Sequence, residues 1–356
     1  MILSELWNKI RQSPSFRPSR ISIRPENTDV ADKLNMQFHP DQEYFLVRVN
    51  EMFLSFRRKW FTTFDPMVFI TSEFLYDGKK VSIPFVVGDS LVKDKIELPQ
   101  GMIFSNTTVA GLHPFKGGSL AISLVLNQVP KNNYLQNMMK IIQSAAGTYT
   151  NEFSAVASGY LKIAKVVVDG IDAMTDSDGV KPLMGIRDEY GNEENLRPGY
   201  FALINTDEQE YDTAKFYVKN HELCYGSSIT TAEPFRADDY VLYSIFPKTE
   251  RSDVSALPFY QTWKELNTYL SNFDRKLTDD EKRKARGKLF AMGNEMKFSA
   301  DLTGTQAVEL IKTYKAELEK MIAEYELLSG SEKSIKEETV GGWESEIDAT
   351  ILELLR

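Results

Sequence analysis

Hydrophobic and polar residues alternate from Glu43 to about Leu126, which is the period of strands that bury one face. The segment is rich in aromatic and β-branched residues, which fit the pleated surface of a sheet. The most regular alternation is that of Leu120, Ile122, Leu124 and Leu126. This part of the chain is therefore predicted to form a series of strands.

Two local features predict how these strands connect. Asp77-Gly78 separates two alternating segments, and this dipeptide is a strong signal for a tight hairpin turn. Near Asn50-Glu51 the alternation changes phase, which indicates a bulge or a turn. Both features favour an antiparallel sheet or sandwich.

The period becomes helical between residues 132 and 175, where two apolar series flank the polar segment Gly147–Asn151. This pattern predicts a helical hairpin. Its small residues also occur in membrane-inserting hairpins, but charged residues interrupt the run, so we expect a hairpin buried in the protein. Strand character then returns at Tyr200–Ile204, Lys215–Val218 and Tyr240–Ile245.

From Leu277 to about residue 330 the pattern is helical. Thr278–Glu281 and Thr303–Gln306 have the spacing of capping boxes, so each is expected to begin a helix. The second helix has apolar residues spaced by three and four, at Ile311, Tyr314, Leu318, Met321, Tyr325 and Leu328. Such a seam must contact another helix, either the preceding one in an intramolecular hairpin or one from a partner or second copy.

The N-terminal segment has apolar residues with the spacing of one helical face, at Leu3, Leu6, Trp7 and Ile10. Five bases and one acid lie within residues 1–24, so this amphipathic segment is basic. Contact with a partner or, peripherally, with an anionic membrane surface is the functional hypothesis for these residues; packing on its own domain is the favoured alternative.

The C-terminal segment beyond Gly341-Gly342 combines acidic residues with another apolar helical face. Its members are Trp343, Ile347, Ile351, Leu354 and Leu355. Short amphipathic helices on flexible tails are suited to docking in a groove. Folding onto the body of the protein is the equally weighted alternative.

These patterns predict an α+β protein, with an antiparallel β-sandwich-like body, an inserted helical hairpin and a C-terminal helical hairpin. Four segments are expected along the chain. They are the basic amphipathic segment 1–24, the β-rich body 25–270, the helical hairpin 277–330 and a flexible acidic tail with a short helix at 331–356.

Composition and charge exclude several classes of protein. With 356 residues, 42% of them hydrophobic, the chain can bury a sizeable core and is not wholly disordered or fibrous. It contains no uncharged apolar run of about 20 residues that would span a bilayer. Its net charge of −9 disfavours binding to nucleic acid. The basic run 282–288 follows three acidic residues and is expected to be neutralised by pairs within its helix.

Catalytic motifs are missing from the sequence: it has no phosphate-binding loop, dinucleotide fingerprint, nucleophile elbow or zinc helix. We therefore assign no catalytic residue, cofactor or metal. The pair His221 and Cys224 resembles a thiol nucleophile with its base, but their spacing places them on opposite faces of a strand. Since Cys224 is the single cysteine, no intramolecular disulfide can form, and a reducing, cytoplasmic compartment is expected.

Two loops carry candidate binding residues. In the glycine-rich segment 111–118, His113, Phe115 and Lys116 could receive an anion or a peptide, although a tight connection between strands would explain the same residues. Calcium binding between loops is left open by three carboxylates, Asp176, Asp178 and Asp188.

The preferred functional hypothesis is a non-enzymatic interaction or scaffold subunit of an intracellular multi-protein assembly, for which a bacterial stress or conflict system is one setting. The expected partner is another protein or a second copy of the chain. One alternative is a hydrolase with a dispersed site drawn from Asp238, Asp239, Asp253, His113 and His221. The other is a membrane-active effector that uses the N-terminal segment or the 132–175 hairpin.

Overall fold

The chain divides into two compact units, with the boundary between Lys248 and Thr249. They are seen in a computed structural model that describes residues 18–34, 37–55, 58–59, 62–88, 95–97, 102–104, 107–130, 181–190, 197–206 and 210–327. The N-terminal face Leu3–Ile10, the predicted hairpin 132–175, Asp176 and Asp178, and the tail 331–356 lie outside these residues.

The described part of the first unit consists of strands and one short helix. The strands are β1 (Pro18–Ser22), β2 (Tyr44–Phe53), β3 (Arg58–Lys59), β4 (Thr62–Tyr76), β5 (Lys79–Val87), β6 (Lys95–Glu97), β7 (Met102–Phe104), β8 (Thr107–Pro114), β9 (Leu120–Pro130), β10 (Lys181–Tyr190), β11 (Gly199–Asn205), β12 (Phe216–Lys219), β13 (Glu222–Tyr225), β14 (Glu233–Pro234) and β15 (Tyr240–Lys248). Helix α1 is the single turn Ala31–Leu34, and 3-10 turns occur at Pro25–Asn27 and Thr213–Lys215.

All of the described strand pairs are antiparallel. The first sheet has five strands in the order β1–β11–β15–β2–β8, and the second joins β10, β9 and β4, with β3 and β5 both paired to β4. A small sheet is formed by β12–β13–β14, and β6 pairs with β7. Residues 1–24 were predicted to be a basic amphipathic segment separate from the body. Strand β1, which lies within that range, is instead part of the first sheet.

The two five-stranded sheets share one hydrophobic core. Val47 and Val241 from the first sheet lie in the same buried cluster as Ile70, Leu124 and Leu126 from the second. The predicted antiparallel, sandwich-like body of an α+β protein is therefore confirmed, and the regular alternation around Leu124 marks the strand that lies in its core.

The first sheet is also covered on its outer face. Tyr200, Ala202 and Leu242 in this sheet form a second buried cluster with Phe216 and Leu223 of the small sheet. Strand β11 is consequently buried from Gly199 to Ile204 on both faces, which explains why its sequence is continuously apolar rather than alternating.

Both local predictions about strand connections are confirmed. Asp77 and Gly78 have φ angles of 49° and 68° and join β4 to β5. In β2, Leu242 lies opposite Glu51 and Tyr243 lies opposite Val49, so Asn50 is the extra residue of a β-bulge.

The described part of the second unit is helical. It contains α2 (Phe259–Ser271), α3 (Asp279–Lys297) and α4 (Gly304–Leu327), preceded by a 3-10 turn at Val254–Ala256. Residues 259–270, expected to belong to the β-rich body, form most of α2 instead. None of the described helices is long and apolar enough to cross a membrane.

The predicted starts of α3 and α4 are confirmed. The Thr278 hydroxyl accepts a hydrogen bond from the backbone N–H of Glu281, and the Glu281 carboxylate accepts one from the Thr278 N–H, which completes a capping box. The Thr303 hydroxyl accepts a hydrogen bond from the Gln306 N–H at 3.2 Å, immediately before α4.

Candidate functional site

His113 of the candidate ligand loop lies in the core of the sandwich. Its ring centroid is 4.5 Å from that of Phe74 and 5.6 Å from that of Phe45. Only 1% of His113 is exposed. A ligand in solvent has no access to this imidazole.

The other two residues of that loop have structural roles as well. Phe115 is buried against Phe38, with ring centroids 5.8 Å apart, while Lys116 forms an ion pair with Asp41. The three side chains therefore do not converge on one ligand. The alternative explanation, a tight connection between strands, accounts for the loop.

The carboxylates of the hydrolase hypothesis bind groups of the protein itself. Asp238 accepts a hydrogen bond from the Tyr211 hydroxyl at 2.6 Å. Asp239 accepts two from Ser55, one from its N–H and one from its hydroxyl, each at 2.8 Å. Hydrogen bonding within the protein therefore gives both carboxylates a structural role.

His221 and Cys224 do not form a nucleophile and base. His221 Nδ1 lies 2.7 Å from the hydroxyl oxygen of Tyr200. The Cys224 thiol is buried, and burial raises its pKa to about 11. Because a thiol with this pKa stays protonated at neutral pH, Cys224 has little nucleophilic character.

Of the three carboxylates that could bind calcium, the structure describes Asp188. It forms an ion pair with Arg20 and accepts a hydrogen bond from the Tyr243 hydroxyl at 3.0 Å. Among the described residues, no group of three or more His, Cys, Asp or Glu side chains could hold a metal ion. These contacts assign Asp188 to a link between the two larger sheets.

The basic run in α3 is largely neutralised, as the sequence predicts. Four of its five cations have carboxylate partners, at Lys282, Arg283, Lys284 and Arg286. Asp280 pairs with two of them within the helix, and Glu319 of α4 accepts two hydrogen bonds from Arg286, at 2.8 and 2.7 Å. Helices α3 and α4 are thereby joined by ion pairs.

Ile311 and Leu318, proposed from the sequence as partner-binding residues, are instead buried within the second unit. Between them, Tyr314 packs its ring against Phe259 and Trp263 of α2, with centroids 6.3 and 4.6 Å away. The seam of α4 is thus covered intramolecularly, with α2 as part of its cover.

A sequence signal for α2 did exist. Phe259, Trp263, Leu266 and Leu270 are spaced by four, three and four residues, which is one helical face, and all four are buried.

One buried arginine organises the turn between α3 and α4. The Arg251 side chain is fully buried, and Asp253 accepts hydrogen bonds from its Nε and Nη2 at 2.7 and 2.8 Å. Nη1 donates to the carbonyl of Asp301 at 2.7 Å. Gln306 exchanges two hydrogen bonds with the Arg251 backbone, at 3.1 and 3.0 Å. We call these four residues the Arg251 network; it ties the turn to the start of α4.

Phe298 lies at the other end of this turn. Its N–H donates a hydrogen bond to the carbonyl of Asn294 at 3.0 Å and ends α3, yet 78% of the residue is exposed. The turn is further held by the Asp301 N–H, which donates to the Ser299 hydroxyl at 3.1 Å. A large aromatic ring is thus presented to solvent by a well-ordered turn.

Neither a protein-family model nor a curated protein matches this chain. The function is accordingly inferred from the residues of the chain itself.

Proposed function

We propose that the protein is a non-enzymatic interaction subunit of an intracellular multi-protein assembly, and that Phe298 is an anchor for its protein partner. The observation that carries the proposal is the 78% exposure of Phe298 on a turn held by the Arg251 network. Aromatic side chains supply a large share of binding energy when a partner buries them.

The order of the turn strengthens this proposal. Asp301 is bonded through its carbonyl to Arg251 and through its N–H to Ser299, so the backbone beside Phe298 is constrained before a partner arrives. Binding then requires less ordering of the chain, which favours affinity.

Of the two alternatives, the hydrolase is the less favoured, because its candidate residues make contacts within the protein itself. Asp253, for example, is bound to Arg251. The membrane-active alternative depends on residues 1–10 and 132–175, about which the structure makes no statement.

The test compares three full-length chains carrying the same tag: the natural sequence, Phe298→Ser and Lys297→Ser. Lys297 is the exposed neighbour of Phe298 and serves as the matched control. Each chain is recovered from the cells that produce it, and associated proteins are quantified by mass spectrometry. A partner identified this way is then purified, and its affinity for each chain is measured by calorimetry.

We expect Phe298→Ser to weaken binding to the purified partner by about tenfold or more, which is the usual scale for an aromatic hot spot. Lys297→Ser should bind like the natural chain. Equal recovery and equal affinity for all three chains would rule out the Phe298 contact, and a natural chain that is monomeric and carries no stoichiometric partner would rule out the interaction function.

A further inference from the structure

The small sheet covers the outer face of the first sheet without pairing with it. Its strands β12, β13 and β14 have four, four and two residues, and none of them pairs with a described strand of the two larger sheets. A sheet this short is marginally stable by itself. Its position therefore depends on the side-chain contacts that it makes with the first sheet.

Apolar side chains supply one part of this attachment. Phe216 and Leu223 of the small sheet lie in one buried cluster with Ala202 and Leu242 of the first sheet. None of these side chains titrates, so their contribution does not depend on pH.

The polar part of the attachment converges on Glu51 of β2. Its Oε2 accepts a hydrogen bond from the Leu223 N–H at 2.8 Å, so the carboxyl group holds the backbone of β13 directly. Its Oε1 accepts one from Arg236 at 3.0 Å. Only 1% of the Glu51 side chain is exposed. One buried acid thus connects the first sheet to two points of the small sheet and its flank.

Arg236 is shared between two carboxyl groups. Its Nη2 also donates a hydrogen bond to Glu222 of β13, and its Nη1 donates one to the Tyr240 hydroxyl. The Glu222 side chain is 37% exposed and is therefore partly hydrated. Because one guanidinium carries one positive charge, ionisation of both acids leaves a net negative charge at this contact, and its cost falls on the buried Glu51.

The other groups that face Glu51 do not supply a second positive charge. The facing groups are Tyr240 of β15, Glu222 and Cys224 of β13, and Arg236 after β14. Burial raises the pKa of Cys224 to about 11 and raises that of Tyr240 as well, so both are neutral at pH 7. Among these described groups, Arg236 is the one cation.

The protonation of Glu51 is linked to the attachment of the small sheet. Burial raises the pKa of Glu51 from 4.5 to about 7 in the folded chain. When the small sheet moves away, the carboxyl group meets water and its pKa returns toward 4.5. Opening therefore releases a proton between these values. The closed arrangement is favoured fully below about pH 4.5, and this preference is lost as pH rises through about 7.

We infer that Glu51 is a proton-controlled latch: its neutral carboxyl group holds the small sheet on the first sheet, and its ionisation favours a local opening that uncovers Ala202 and Leu242 while the sandwich stays folded. A neutral carboxyl group keeps an oxygen that accepts the Leu223 N–H, so closure does not require the charge. Segments with few backbone hydrogen bonds to their surroundings open more easily than the whole protein unfolds. The latch lies in the first unit and is independent of the proposed role of Phe298.

The test is hydrogen exchange of the full-length chain at pH 5, 6, 7 and 8, followed by mass spectrometry. Four proteins are compared: the natural chain, Glu51→Gln, Glu222→Gln and the control Glu233→Gln. Glu233 is an exposed residue of β14, so its replacement removes an equal charge from the same small sheet. Peptides from β12 and β13 report on the small sheet, and peptides from β9 report on the sandwich core.

The measured quantity is the exchange rate in each chain divided by the rate in Glu51→Gln at the same pH, which cancels the intrinsic dependence of exchange on pH. For small-sheet peptides of the natural chain, we expect this ratio to rise by about tenfold to a hundredfold from pH 5 to pH 8, as a pKa change from 4.5 to about 7 requires. These peptides should also exchange faster than β9 peptides at every pH, since the opening leaves the sandwich folded.

The other two variants separate the latch from a general effect of charge. Glu233→Gln should behave like the natural chain. Glu222→Gln removes the second carboxylate from Arg236, so the pKa of Glu51 should fall and the rise should end at a lower pH. If Glu51→Gln fails to fold, Glu222→Gln becomes the reference, and the ratio for the natural chain should still rise with pH.

A ratio that stays constant from pH 5 to pH 8 would overturn the latch, as would a Glu233→Gln chain that behaves like Glu51→Gln. Equal exchange rates in the small sheet and in β9 would overturn the local opening, because the two sheets would then unfold as one unit.

Discussion

Arg236 donates a hydrogen bond to Glu51 between the small sheet and the first sheet, with Nη2 3.0 Å from Oε1. The other carboxylate oxygen of Glu51 accepts one from the Leu223 N–H at 2.8 Å. The Arg236 guanidinium also lies over the ring of Phe53, 5.2 Å from its centroid. A single buried carboxylate in β2 thereby connects the first sheet both to β13 and to Arg236, the second residue after β14.

Glu51 should make the stability of the protein depend on pH. Burial raises its pKa from 4.5 to about 7, so the folded chain holds this proton more tightly than the unfolded chain. The stabilisation is complete below about 4.5 and is lost as pH rises through about 7. Across that interval, Glu51 should lower the free energy of unfolding by about 3 kcal/mol.

The measurement is urea unfolding of the natural chain and of Glu51→Gln at pH 5, 6, 7 and 8. The variant cannot titrate at this position, so the difference between the two chains should change with pH in the stated direction. Glu233→Gln, an exposed change on the same small sheet, is the control. A difference between the natural chain and Glu51→Gln that stays constant across this range would contradict the assignment.

Arg251 is expected to be essential to the second unit. Arg251→Met removes the cation and leaves the Asp253 carboxylate without its two hydrogen bonds, so the free energy of unfolding should fall by about 3–5 kcal/mol. Urea unfolding followed by tryptophan fluorescence reports the change in chains that keep Trp263, which is buried in this unit, as their single tryptophan. Arg275→Met, which affects an exposed ion pair with Glu281, should leave the transition nearly unchanged; similar losses in both variants would contradict the prediction.

Two glycines should respond oppositely to replacement by alanine. A Cβ atom on Gly226 would lie 2.6 Å from the backbone Cα of Ala232, so Gly226→Ala should destabilise the first unit by about 1–3 kcal/mol. Gly287 lies inside α3 with open space around it, and Gly287→Ala should stabilise its helix by about 1 kcal/mol. Thermal unfolding by calorimetry distinguishes the two; a change of the same sign in both would be incompatible with this packing.

The seam of α4 should contribute to stability rather than to association. Leu318 is completely buried, so Leu318→Ala should cost about 2–5 kcal/mol in the free energy of unfolding. Leu327 is 82% exposed, and Leu327→Ala should leave that free energy within about 0.5 kcal/mol of the natural value. Should Leu318→Ala instead dissociate an oligomer without loss of stability, the seam would belong to an intermolecular contact.

Sequence patterns left the same question open at the ligand loop and at the seam of α4. His113 and Phe115 resemble ligand-binding residues in the sequence because histidine and aromatic residues occur both in glycine-rich binding loops and in cores. Only the neighbours supplied by distant strands, such as Phe74, determine that His113 is buried. Likewise, the seam of α4 required a covering helix, but the sequence pattern alone did not decide whether that helix belonged to the same chain.

Local sequence patterns predicted the strand alternation around Leu124, the turn at Asp77-Gly78, a bulge or turn near Asn50-Glu51 and the capping box at Thr278. Each depends on residues close together in the chain, so local side-chain spacing and turn chemistry are sufficient to specify it. Only the packing of the folded chain shows that the first sheet is covered on both faces and that Tyr200, Ser244 and Arg48 are neighbours across three strands. These relationships arise from the register between distant strands, which local sequence patterns do not encode.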